Sequence, residues 1–177
     1  PPIGQGVVSG HGAESQILRD YLALAIAVYD ERPDLWNLVG GRYFEEYVPA
    51  RQMLQTSLHQ GSDYGIYREM WSLYSYALMK GMGAEYPIDP EIINHANLWM
   101  LYLRRPDGQI IRDGDISAID RQQMWEYVSF FMPRPLTLLS YITGNPYYKL
   151  ERARTAKDFN DWSNAEIYQS PVENIIF

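Results

Sequence analysis

Residues 14–29 read ESQILRDYLALAIAVY, and this stretch decides the fold class. Its Ile17, Leu18, Tyr21, Leu22, Ala25, Val28 and Tyr29 recur at steps of three and four, the spacing of one apolar stripe on an α-helix. Glu31-Arg32-Pro33 stops it, because proline disfavours helical geometry at the residue before it. Asp34 is then the expected N-cap of a second helix through Leu38, Arg42, Phe44 and Glu45. Gly40-Gly41 weakens that helix, and Pro49 is placed to kink it. A polar connection over 55–62 leads to a third helix over 63–80, with the stripe Ile66, Met70, Leu73 and Ala77. After Gly81, Gly83 and Pro87, the run Asp89-Pro90-Glu91 has the form of an N-cap followed by proline at the first helical position. It opens a fourth stripe: Ile92, Ile93, Ala96, Trp99, Met100 and Leu103.

Turns follow at 104–108 and 113–115, with 109–112 between them read as extended. Apolar and aromatic residues return over 122–132, and Pro133 and Pro135 interrupt them. Further helices are expected over 136–143 and 147–155, then a polar, loop-like tail over 157–173 and the beginning of a strand at 174–177. The fold class is therefore all-α, helices in antiparallel hairpins. The chain starts Pro1-Pro2 and ends Ile175-Ile176-Phe177, so it reads as a piece of a larger protein.

Composition narrows the function classes. The chain has 177 residues, 46% of them apolar and 21% charged, which is an ordinary globular balance for one domain. Its net charge of −7 and lack of any Lys/Arg run argue against a nucleic-acid-binding module. No apolar run is long enough to span a membrane. Without cysteine there are no disulfides, thiolate metal sites or cysteine nucleophiles. Tyrosine is abundant, 15 residues beside 5 Trp and 5 Phe. Such side chains build either a helical core or flat platforms for hydroxylated ligands such as sugars.

The residues able to carry chemistry cluster at two helix mouths. His11 stands in Ser9-Gly10-His11-Gly12-Ala13-Glu14, with glycines leaving the imidazole uncrowded and Glu14 one turn on. The same run serves equally as a plain helix start with a solvated histidine, and it is a weak metal signal. His59-Gln60-Gly61-Ser62-Asp63-Tyr64 precedes the third helix, and Tyr64 and Arg68 share a helical face at i, i+4. An adjacent guanidinium favours tyrosinate and would let Tyr64 exchange a proton near neutral pH; an ordinary Tyr–Arg packing pair has the same spacing. His95 reads as structural. Arg42, Arg51, Arg104, Arg105 and Arg112 stand beside turns, each an ion-pair arginine or one member of an anion site.

Laid out in this order, the chain resembles the helical region of the heparinase II/III-like polysaccharide lyases, and most closely the heparinase II branch. The resemblance rests on His11-Gly12-Ala13-Glu14, Leu18-Arg19-Asp20, Ala25-Ile26-Ala27-Val28-Tyr29-Asp30-Glu31, Gly41-Arg42-Tyr43-Phe44, His59-Gln60-Gly61-Ser62-Asp63-Tyr64 and Arg104-Arg105-Pro106-Asp107-Gly108-Gln109-Ile110. It implies a partial (α/α) toroid over 1–170, the second half of that toroid, with a β-sandwich domain beginning at 171–177. It also implies β-elimination of uronic-acid-containing glycosaminoglycans of the heparin or heparan sulfate type. His11 and Tyr64 would transfer protons, Glu14 would assist at the substrate carboxylate, and Arg68, His59, Gln60 and Arg105 would bind substrate. Glu14 must be protonated for that role, which requires a raised pKa. No cofactor is implied for this chain; a zinc ion would belong to the β-sandwich.

The implied partners are an acidic polysaccharide, the rest of the toroid and the β-sandwich, and a second copy in a homodimer. The implied compartment is periplasmic or secreted, and the chain alone is expected to be inactive. The net charge of −7 favours a less sulfated uronan, since a densely sulfated one calls for a basic cleft. Two other readings stand beside the lyase. A helical-toroid glycoside hydrolase would use two carboxylic residues, with Glu14 and Asp63 in those roles. A non-enzymatic carbohydrate-binding module would use the aromatic residues as a platform.

Overall fold

In the computed structural model the pattern at 14–29 forms helix α1 (Gly12–Ala27), which buries Leu18, Leu22 and Ala25. The structure describes residues 12–54, 64–84, 89–106, 111 and 132–159, with backbone alone at 12–15, 53–54, 64, 67–68 and 156–159. After α1 come α2 (Pro33–Gly41), a π-helical segment (Arg42–Tyr47), α3 (Val48–Leu54) and α4 (Tyr64–Gly81). The series continues with α5 (Pro90–Asn97), α6 (Trp99–Tyr102), α7 (Pro133–Thr143) and α8 (Pro146–Phe159). The described residues form no strand, so the all-α class holds for them. The region expected to be helical over 122–131 and the tail from 160 lie outside them.

Local chemistry accounts for the starts and stops. Asp89 accepts a hydrogen bond from the Glu91 amide at 2.9 Å, and Pro90 follows at the first position, as expected of this N-cap. Asp34 is different. Pro33 takes the first turn of α2, where its fixed φ fits and its absent N–H would be unsatisfied anyway, and Asp34 instead pairs with Arg32 at 2.8–2.9 Å. Pro133 and Pro135 likewise start α7 rather than interrupt the chain, for the same reason. Gly144, at φ 70°, ends α7 in the left-handed conformation that glycine adopts without strain. The α8 helix runs on to Phe159, past the boundary expected at 155.

Pro49 does not break the second helix. The backbone stays helical through Gly41, Arg42 and Val48, and the Val48 amide reaches back five residues to the Tyr43 carbonyl. A proline inside an α-helix presses its ring on the carbonyl four residues back, and the wider π turn just before Pro49 relieves that contact. Gly40 lies against the Trp36 indole, where a Cβ would sit 3.3 Å from the ring.

Side-chain pairs fix the helix directions. Tyr47 bonds Ser72 at 2.8 Å and Arg51 bonds Glu69 at 2.9 Å, so the π–α3 segment runs antiparallel to α4. On α5, Asn97 reaches Glu69 near the start of α4, so α5 also runs against it. The Lys80 ammonium donates to the Tyr141 and Ile142 carbonyls, bringing the C-terminal ends of α4 and α7 together in parallel and capping α7 with a cation. The chain reverses through the tight turn at 28–32 between α1 and α2, which sets α1 parallel to α4. Thus α1, α4 and α7 run one way, and α2–α3, α5–α6 and α8 run the other, as three hairpins. Leu22, Ile66, Leu73, Met100, Leu136 and Leu139 are fully buried in the core.

Candidate functional site

Helix α4 lies between two environments. One face carries Glu69, Ser72 and Tyr76, all buried against the returning helices. Glu69 there accepts both bonds from Arg51 (2.9 and 3.1 Å) and a third from Asn97 (3.3 Å). Burial pulls the Arg51 guanidinium down, but the facing Glu69 carboxylate, with Tyr76 and Tyr47, holds it well above its ordinary value. Burial pushes the Tyr76 and Tyr148 phenols well up, so both stay neutral. Arg104 meets Glu151 on α8 at 3.3 Å. Of the arginines beside turns, Arg51 and Arg104 are thus ion-pair residues that hold helices together.

The other face of α4 is open. Trp71, Tyr74 and Leu78 follow one another at helical spacing and line a groove of about 650 Å³ between α1, α4 and α7. Arg19 of α1 lies over the Trp71 ring at 4.1 Å and the Tyr74 ring at 5.5 Å, and its Nε donates to Asp20 at 2.8 Å. Arg134 and Tyr141 contribute from α7, and the Lys80 ammonium lies 4.6 Å from the Tyr141 ring. Among the described residues no Asp or Glu lines this groove itself, although Asp20 beside it pairs with Arg19. The arrangement can take a ligand that offers an apolar face to the rings and an anionic group to a guanidinium.

The parallel course of α1 and α4 puts their first residues, Gly12 and Tyr64, at the same end of the layer. Glu14 lies in the first turn of α1, and Tyr64 and Arg68 lie in the first turns of α4. By helical register Tyr64 shares its face with Trp71, two turns along, whereas Glu14 is in register with Leu18 and Tyr21 rather than with Arg19 and Ala23. Arg105 is exposed just beyond α6, in the opposite layer, at the end where α4 begins. His11, His59 and Gln60 lie outside the described residues. His95 is exposed on α5. Among the described residues no group of three or more His, Asp or Glu side chains gathers as a metal site. No described helix is long and apolar enough to cross a membrane.

Sequence reading missed the groove residues Arg19, Trp71, Tyr74, Arg134 and Tyr141. A signal existed in 63–80: Trp71, Tyr74 and Leu78 form a second stripe, displaced around the helix from Ile66, Met70, Leu73 and Ala77. A helix apolar on two faces either is buried all round or presents one face to a ligand. No protein-family model matches the chain, and no curated protein or solved structure shows significant similarity to it.

Proposed function

We propose that this chain is part of a uronic-acid polysaccharide lyase, a segment of an (α/α) toroid acting on a heparan-type or less sulfated uronan. The observation that carries this reading is the parallel α1–α4–α7 layer. It supports a single cleft in which the helix starts bearing Glu14 and Tyr64 share one end, and the aromatic groove continues along the Tyr64 face. In an (α/α) toroid, such a layer would be the inner wall and the returning helices the outer one.

The chemistry is elimination. A base removes the proton at C5 beside the uronate carboxylate, that carboxylate is neutralised, and O4 leaves as it receives a proton. His11 and Tyr64 perform the two proton transfers, Glu14 in its protonated form assists at the carboxylate, and Arg68, His59, Gln60 and Arg105 bind the chain. The remaining machinery, including the zinc-bearing β-sandwich, would come from outside this sequence, with a periplasmic or secreted location. The carbohydrate-binding module is the second reading, favoured by the groove itself, which offers the aromatic faces of Trp71, Tyr74 and Tyr141.

Ultraviolet absorbance separates the readings when the full-length gene product is given heparan sulfate, chondroitin sulfate, alginate and other uronans. Elimination leaves an unsaturated uronate that absorbs, hydrolysis yields reducing ends without absorbance, and a binding module yields neither. The lyase reading expects absorbance to rise on at least one uronan; binding with no rise on any of them contradicts it.

A further inference from the structure

We propose that Tyr29, Trp36 and Phe44 form a docking site for an extended, proline-rich, arginine-bearing segment of a partner protein. This site lies apart from the elimination chemistry and does not depend on it. Residues 25–31 and 41–44 carry none of the proton transfers or substrate contacts proposed above, yet folding joins them through Trp36. The Tyr29 and Trp36 ring centroids are 6.4 Å apart with the planes at 83°, and those of Trp36 and Phe44 are 6.4 Å apart at 68°. Tyr29 is 51% exposed and Phe44 38%, and Trp36 between them is half-buried. Large rings left side by side in solvent mark an interaction surface, unlike apolar residues scattered singly.

The rings are held in place from below. Gly40 lets the Trp36 indole lie close on α2, since a Cβ there would sit 3.3 Å from the ring. Phe44 meets Tyr43 edge to face at 5.1 Å, and Tyr43 stacks on Tyr47, which bonds Ser72 inside the core. A surface fixed in this way loses little side-chain freedom when a ligand arrives. Rings set edge to face leave a notch between each pair. The 6.4 Å step between them matches two residues of a polyproline II helix, which rises about 3.1 Å per residue. Such a helix is preformed and docks on aromatic-lined notches through its prolines. Charge then selects among such segments. Residues 29–46 hold five acids and two arginines, and Arg32 is engaged by Asp34. Asp30 and Glu31 follow Tyr29, Glu45 and Glu46 follow Phe44, and all four are exposed and without an ion-pair partner among the described residues. An arginine gains twice here, by pairing with a carboxylate and by lying on an exposed ring, whereas an anionic chain is repelled.

Fluorescence polarisation and calorimetry on the full-length protein test this with three labelled peptides: triple repeats of Pro-Pro-Arg, of Pro-Pro-Gln and of Gly-Gly-Arg. The Pro-Pro-Arg peptide should bind, more weakly as salt is raised, with each of the other two at least about tenfold weaker. Tyr29→Ser, and separately the pair Glu45→Gln and Glu46→Gln, should each weaken that binding about tenfold; all three positions are exposed, so the fold should tolerate the changes. Equal binding of Pro-Pro-Arg and Gly-Gly-Arg overturns the proposal, because it reduces the effect to the attraction of an acidic protein for any cation. Equal binding of Pro-Pro-Arg and Pro-Pro-Gln overturns the charge selection and with it the proposal. Neither comparison needs a variant to fold. Pro-Pro-Arg binding that ignores Tyr29→Ser overturns the proposal by placing the peptide elsewhere. Failure to bind any peptide overturns it too: self-association abolished by Tyr29→Ser would then assign the patch to a second copy of the chain, and maltohexaose binding abolished by the same change would assign it to a neutral sugar.

Discussion

At the scale of single residues, Arg51–Glu69 is the most deeply buried ion pair among the described residues, with side chains only 7% and 4% exposed. Glu69→Ala would leave a buried guanidinium uncompensated and should cost about 3–5 kcal/mol in urea unfolding. Replacing both partners by Met and Leu should restore most of it, since a buried pair is often matched by apolar residues of similar volume. The buried phenols give the pH dependence. Tyr76 and Tyr148 titrate above the ordinary tyrosine value of 10.0 when folded, so their contribution is complete below that pH and is lost as pH rises beyond it. Stability measured against pH should therefore decline from about pH 10 upward, with tyrosinate absorbance from these two residues appearing only on unfolding. None of this was legible beforehand: Arg51 was one arginine beside a turn among several, and its partner lies 18 positions away on another helix.

At the scale of elements, the sequence was most informative where local chemistry alone decides. The Asp89-Pro90 start and the stripes of α1 and α4 needed only capping and periodicity. Asp34, Pro49, Pro133 and Pro135 were read too simply, because proline marks a helix's first turn as readily as its end, and a π turn can absorb one inside. Gly144→Ala should cost about 1 kcal/mol in thermal or urea unfolding, because alanine must adopt the left-handed conformation at φ 70°. On α1, Leu22→Ala should cost about 2–5 kcal/mol, since Leu22 is fully buried. Leu24→Ala, at a position 49% exposed, should change stability by less than about 0.5 kcal/mol. Together with Ile17 and Tyr21, each 55% exposed, Leu24 forms an apolar strip on the side of α1 away from the core.

At the scale of the whole molecule, the all-α class and the hairpin organisation followed from the sequence, whereas the parallel alignment of α1, α4 and α7 did not. That alignment depends on contacts such as Lys80 with the end of α7, across 61 positions of chain, which no local pattern encodes. The candidate site divides in the same way between local signals and contacts made only by folding. Helix-mouth residues stood out by their chemistry, but the groove was hidden because Arg19, Tyr74 and Arg134 become neighbours only after folding. The proposed function places proton transfer to and from a uronate chain at the Tyr64 end of this layer. The most direct measurement compares turnover and substrate affinity of the full-length protein with those of Tyr64→Phe, on whichever uronan yields ultraviolet product. With Tyr64 in that role, kcat should fall about 100-fold or more, the scale of a lost general acid or base, with affinity unchanged. Undiminished kcat in Tyr64→Phe, or a loss confined to affinity, would contradict it.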